Sequence, residues 1–182
     1  MNKFGDPYTQ NAIVMSLRQL HLESARFYTS IPADRFFAHS LNAWSPAENL
    51  EHLIRSVKPV AQAMRLPKLL LQLLFGTAST PSRSFQTIKE EYLSKLANGA
   101  RAARAYLPTQ TIPSTNLELA RMQLLSQWTR IEQELINSVK AWHESEFDKY
   151  LLPHPLLGKL TVREMLFFTL YHNRRHIFAG MD

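Results

Sequence analysis

Two histidines four residues apart, His172 and His176, stand near the C-terminal end of this 182-residue sequence. On a helix that spacing stacks both rings on one face, where their nitrogens can converge on a single ion at about 2 Å. They continue a stripe of Val162, Met165 and Thr169 at three- and four-residue steps, so the pair faces a core rather than solvent. Two buried imidazoles without partners are costly to desolvate. The spacing therefore has two readings, a metal-ligating pair and a hydrogen-bonded core pair.

Cysteine is absent, so neither disulfides nor thiolate ligands are available, and any ion must be held by imidazole and oxygen donors. A third ligand has to come from another helix, where two histidines compete. His21 shares a stripe with Val14, Leu17 and Tyr28, which also suits a buried or interfacial histidine. His52 shares its face with Ser45, Glu48, Asn49 and Ser56, whereas the apolar stripe Leu50, Leu53, Ile54, Val57, Ala61 and Met64 points largely elsewhere. Such a polar face is solvated unless it lines a pocket, so periodicity does not choose between the two. Glu48, four residues before His52, has two roles open: capping its helix, or acting at a catalytic site by orienting His52 or accepting a proton.

The elements that must position these residues are written in helix caps and apolar recurrence. Ser45-Pro46-Ala47-Glu48 combines a capping serine, a proline that needs no N–H partner at the first helical position, and a glutamate that suits the helix dipole. Thr115 with Glu118 and Thr161 with Glu164 repeat the device. Apolar spacing predicts long helices from about Pro7 to Ser30, Pro46 to Met64, Asn116 to Trp142 and Val162 to Phe178. Between the second and third lie an apolar stretch Leu69 to Phe75, a loop Gly76 to Ser84 and a further helix from about Phe85. This connection is long enough to let two bundle helices run parallel. No segment reads as a strand, and His154-Pro155-Leu156-Leu157-Gly158 reads as an ordered turn before the last helix.

The length fits one domain over residues 1–182, with a core of its own. Lys and Arg number 21 against 15 Asp and Glu, a formal charge of +6, but the basic residues are scattered and accompany no nucleic-acid-binding motif. Nucleic acid is therefore not expected as a partner. The N-terminus has no signal-peptide core and no apolar run reaches membrane-spanning length, so a cytoplasmic location without membrane association is expected. A small-molecule substrate is the expected partner. The apolar crossover makes a homodimer possible in principle.

Three fragments, Trp44-Ser45-Pro46-Ala47-Glu48-Asn49-Leu50-Glu51-His52-Leu53, His154-Pro155-Leu156-Leu157-Gly158-Lys159-Leu160-Thr161 and Tyr171-His172-Asn173-Arg174-Arg175-His176, together resemble the DinB-like superfamily in order and spacing. The resemblance implies an all-α fold, a four-helix bundle with a long crossover connection and an additional helical segment. It also implies a divalent metal held by one histidine of the second helix and two of the last, here His52, His172 and His176. Zinc is the first candidate, with nickel or manganese as alternatives. Two departures stand out: Arg175, where relatives often carry a further histidine, and Phe178, where related iron-dependent sulfur-joining domains would place a glutamate.

Antiparallel packing of the second and last helices would bring the three histidines to one end of the bundle, because His52 lies early in its helix and the other two late in theirs. Three imidazoles leave a coordination position open on the ion, the arrangement of catalytic rather than structural zinc. The resemblance implies two activities, hydrolysis by activated water and transfer of a low-molecular-weight thiol to an electrophile. The alternative is a helical bundle that binds metal or a protein partner without turnover.

Overall fold

The computed structural model describes residues 6–39, 43–109 and 116–179. Four long helices form the bundle: α1 (Gln10–Ser30), α3 (Pro46–Ala63), α6 (Leu117–Ala141) and α7 (Val162–Ile177). Three shorter ones accompany them: α2 (Ala33–Phe37), α4 (Lys68–Phe75) and α5 (Phe85–Ala97). Single 3-10 turns occur at Arg104–Tyr106 and Glu144–Glu146.

The caps explain where the helices begin. Ser45 and Glu48 form a reciprocal capping box at α3, as do Thr161 and Glu164 at α7. Helix α1 starts three residues later than its apolar pattern suggests, because the Thr9 side chain accepts the amide of Ala12. At α6 the cap is Asn116, whose side chain accepts from Leu119 N–H. The predicted cap Thr115 lies outside the described residues.

Side-chain contacts fix the helix directions. The indole of Trp142, at the end of α6, donates to the Met64 carbonyl at the end of α3 (2.7 Å), so these neighbours run parallel. Arg121, early in α6, reaches the carbonyls of Thr29 and Ile31 at the end of α1, while Gln10 reaches Val139, so α1 and α6 are antiparallel. The residues between α3 and α6 are the crossover this parallel pair requires. Helix α7 runs antiparallel to α3 and carries α5 on its flank, and it is buried along most of its length. Trp128, Tyr28, Phe36, Leu50, Leu53 and Phe167 are among the side chains with no more than 1% exposure at the centre of the core.

One expectation is corrected. Residues Leu151–His154 (β1) and Gly158–Thr161 (β2) pair as an antiparallel hairpin, with Leu151 opposite Thr161 and His154 opposite Gly158. Four-residue strands, one containing Pro153, show too little alternation to be read from sequence. The turn between them makes the hairpin: Gly158 takes a φ of 73°, and the His154 ring accepts the amides of Leu156 and Leu157. The hairpin ends at Thr161, which is also the cap of α7, so it delivers the last helix in a fixed register.

The start of α7 is further pinned by charge. Arg163, 1% exposed, donates to both carboxylate oxygens of Asp148 (2.7 and 2.9 Å), to Glu144 (2.8 Å) and to the Tyr8 carbonyl. Its guanidinium also lies over the Tyr8 ring, 4.3 Å from the centroid. Replacing Arg163 by Ala removes the buried partner of these groups and leaves a cavity. Urea denaturation should show a loss of roughly 3 kcal/mol.

Candidate metal centre

Helices α3 and α7 bring His52, His172 and His176 together, with one ligand nitrogen from each lying within 4.8 Å of the others. Zinc–nitrogen bonds of about 2.0–2.1 Å in a tetrahedral site would require separations of roughly 3.4 Å. One pair is already close to this, since the Nε2 atoms of His52 and His172 are 3.0 Å apart. His52 and His172 are 3% and 4% exposed. The face of α3 that carries His52 is thus covered, by α7 and by the segment around Tyr106.

Outer partners set the protonation of two rings. The Nδ1 of His52 is 2.7 Å from the Tyr106 carbonyl, which can only accept, so the ring proton is on Nδ1 and the Nε2 lone pair faces inward. The Nδ1 of His176 is 2.9 Å from Asn49 Oδ1. Asn49 is oriented by its own amide, whose nitrogen donates to the Trp44 and Ser45 carbonyls, so it presents oxygen to His176 and again leaves Nε2 free. The contact between His52 and His172 then needs its proton on His172 Nε2. The Nδ1 of His172 is buried without a hydrogen-bond partner among the described residues. A cation would replace that shared proton, and the donor set fits one.

Electrostatics favour the neutral ligands that a metal requires. Burial and the neighbouring His176 and His52 hold His172 well below the usual imidazole range. Burial, His52 and the Arg175 guanidinium push His176 down to about 3. His52 is lowered chiefly by burial, against the pull of the Tyr106 carbonyl. Trp44 stacks on His176 and Phe168 on His172, so the rings are held between aromatic walls.

The cluster opens onto a cavity of about 570 Å³, whose wall includes His154 and Met165. The Nδ1 of His154 accepts two amides of the hairpin turn, so its proton resides on Nε2. Burial pushes the ring down to about 4, keeping it a neutral donor.

A sequence model of the DinB superfamily matches residues 17–177, which take in α1 from Leu17 onward, the whole of α3, α6 and α7, and the three histidines. The chain belongs to the DinB superfamily. Searches of curated proteins and of solved structures returned no match. Membership accords with the all-helical bundle, its parallel α3–α6 pair and its crossover. Among the described residues, no helix is long and apolar enough to cross a membrane.

Of the sequence candidates, His21 and Glu48 lie outside the cluster. Glu48 Oε2 accepts from Ser45 N–H (2.7 Å) and lies 2.9 Å from His39 Nδ1, so the structure gives it the capping role and assigns the orienting of His52 to Tyr106. A backbone carbonyl leaves no sequence signal. Asn49 left one, three residues before His52 on the same polar face, and His154 stood in the turn motif. His21 Nδ1 lies 2.6 Å from Glu132 Oε2 in the α1–α6 interface.

That pair makes stability depend on pH. Burial pushes the Glu132 carboxyl up to about 7 against the pull of His21, and the hydrogen bond to Glu132 raises His21. The folded pair therefore binds more proton than the unfolded chain between about pH 4.5 and 7, and its contribution falls as pH rises through that window. Replacing His21 by Ala leaves Glu132 buried and alone. The penalty in chemical denaturation should reach roughly 3 kcal/mol at pH 8 and be much smaller at pH 5, where the carboxyl keeps its proton.

Proposed function

We propose that this member of the DinB superfamily is a metal-dependent enzyme that activates a small nucleophile, with His52, His172 and His176 as the ligands of a divalent ion. The single observation that carries the reading is the convergence of three neutral imidazoles at the wall of a cavity large enough for a substrate. Three protein ligands leave a position for an incoming group. Zinc is the first candidate, and nickel or manganese would suit the same donors less specifically.

When bound, the ion would supply Lewis acidity, which lowers the pKa of a thiol or a water toward neutrality. The chain's own residues do the rest. Tyr106 and Asn49 hold the His52 and His176 rings with their lone pairs inward. Trp44, Phe168 and Met165 keep water from the cavity wall. His154 presents an Nε2–H that can donate to a substrate acceptor.

One feature of the wall favours thiol transfer over hydrolysis. Among the described residues no aspartate or glutamate lines the cavity, and the acceptor nitrogen of His154 is already taken by the turn. A water nucleophile gains from a proton acceptor beside it, whereas a thiol with a lowered pKa gives its proton directly to solvent. In the proposed reaction the sulfur of a low-molecular-weight thiol forms a bond to an electrophilic carbon as that carbon's bond to its leaving group breaks. The leaving group departs with the electron pair, and hydrolysis is the second reading.

Metal content is the first test. Protein purified without a metal-affinity tag should hold near-stoichiometric metal by mass spectrometry. The ion should be lost in His52→Ala and in the double variant His172→Ala/His176→Ala, and kept in His21→Ala. Asn49→Ala should weaken metal affinity by about 10–100-fold, read by competition with a chromophoric chelator. Failure of zinc, nickel and manganese alike to bind would remove the proposal.

Loaded protein should accelerate the reaction of a panel of low-molecular-weight thiols with monobromobimane, and chelation should abolish the acceleration. Hydrolysis of a nitrophenyl ester panel without thiol transfer would reverse the order of the two readings.

A further inference from the structure

The cavity beside the histidines is one-sided in its chemistry. Val60, Ala63, Leu96, Leu152, Leu156 and Phe168 give it an apolar body. Among the described residues two permanently charged side chains line it, Arg101 and Arg175, both cationic. Each is itself solvent-exposed, so together they mark the cavity's edge. Among the described residues no carboxylate pairs with either guanidinium, whereas the half-buried or buried Arg55, Arg83, Arg121 and Arg163 each meet one.

Arg175 is placed by its neighbours. It precedes His176 on α7, and its charge acts on His52 and His176 and works against the rise that burial imposes on the Tyr92 hydroxyl. Arg101 follows α5 and donates to the carbonyl of the preceding Ala100. A guanidinium stays charged at any working pH and offers a planar fork of donors that fits a carboxylate or sulfonate. An apolar chamber with only positive charge at its edge favours a ligand that is apolar along its length and anionic at one end.

We propose that the cavity binds a small amphiphilic anion, an aliphatic or aromatic body carrying one carboxylate or sulfonate, with the anion at Arg175 and Arg101 and the body against Val60, Ala63 and Phe168. This names the substrate class of the proposed active site. It rests on the metal-enzyme reading for the cavity's role in turnover, but not for the binding itself. A volume of about 570 Å³ accommodates an eight-carbon chain with room for a second reactant.

The test uses chelator-treated full-length protein, so that a metal cannot serve as the anion's partner. Octanoate, octan-1-ol and octylammonium are titrated in turn by calorimetry. One octanoate should bind per chain, at least about tenfold more tightly than the alcohol or the amine. The double variant Arg101→Gln/Arg175→Gln should lose that preference and leave octanol binding unchanged. Ala63→Trp should abolish octanoate binding by filling the chamber. If that variant loses its thermal transition, Leu107→Trp at the cavity wall takes its place.

The exposed leucines of α4, Leu69 and Leu73 at 68% and 73%, provide the control. Leu69→Glu/Leu73→Glu should leave octanoate binding intact. Equal binding of octanoate and octylammonium, no binding of any of the three, or binding lost in the α4 variant and kept in both cavity-filling variants overturns the inference. Metal content measured on the same preparations before chelation, and after reloading with zinc, separates the two readings. Protein that takes up metal but not octanoate loses only this inference, and protein that takes up octanoate but no metal loses only the metal site.

Discussion

The arrangement depends on neutral imidazoles gathered inside a low-dielectric wall, with the Nε2 lone pairs of His52 and His176 turned inward and one shared proton between His52 and His172. Such a group is stable only if the outer nitrogens are satisfied elsewhere, and here the Tyr106 carbonyl and the Asn49 amide satisfy two of them. Protonating the cluster would place like charges within a few ångströms in a medium that screens them poorly, so burial and mutual repulsion both hold the rings neutral. The chain thus maintains a set of donors suited to a cation and poorly suited to protons.

Holding that geometry requires that α7 be fixed along its length, because an error of register of one residue would rotate His172 and His176 away from α3. The fixing is done at the opposite end of the helix. The hairpin ends at the capping residue of α7, Arg163 ties its first turn to Asp148, Glu144 and Tyr8, and Arg83 binds Glu164 through its backbone N–H and its guanidinium. These are buried or half-buried, multidentate contacts, the kind that specify one arrangement rather than merely adding stability. The crossover supplies Arg83 and then α5, whose packing on α7 closes the side of the cavity away from α3.

The polar features of the chamber differ in what they could do to a small molecule. The His cluster is electron-donating, His154 is a fixed donor, and the arginines at the edge are permanently cationic. Between them lies apolar surface. In the proposed function this separation would orient a substrate by its ends and set apolar surface along its middle.

The caps Ser45–Glu48 and Thr161–Glu164, the four long apolar patterns and the i,i+4 spacing of His172 and His176 were legible from sequence because each is a local rule, satisfied within a few residues of chain. The DinB-like resemblance supplied what local rules lacked, the choice of His52. The hairpin was not legible, since its strands are too short to alternate and its turn depends on an imidazole accepting backbone amides. The choice between His21 and His52 could not be made from periodicity, which predicts which way a side chain points from its own helix and not what another helix sets against it. Tertiary packing set the two apart: α6 placed Glu132 against His21, while α7 and the Tyr106 carbonyl covered a polar face of α3 that would otherwise meet water and grouped His52 with His172 and His176. The sequence by itself determined the four long helices and the donor types. Only the fold determined which rings share a desolvated space, because burial is a property of what surrounds a residue and not of the residue itself.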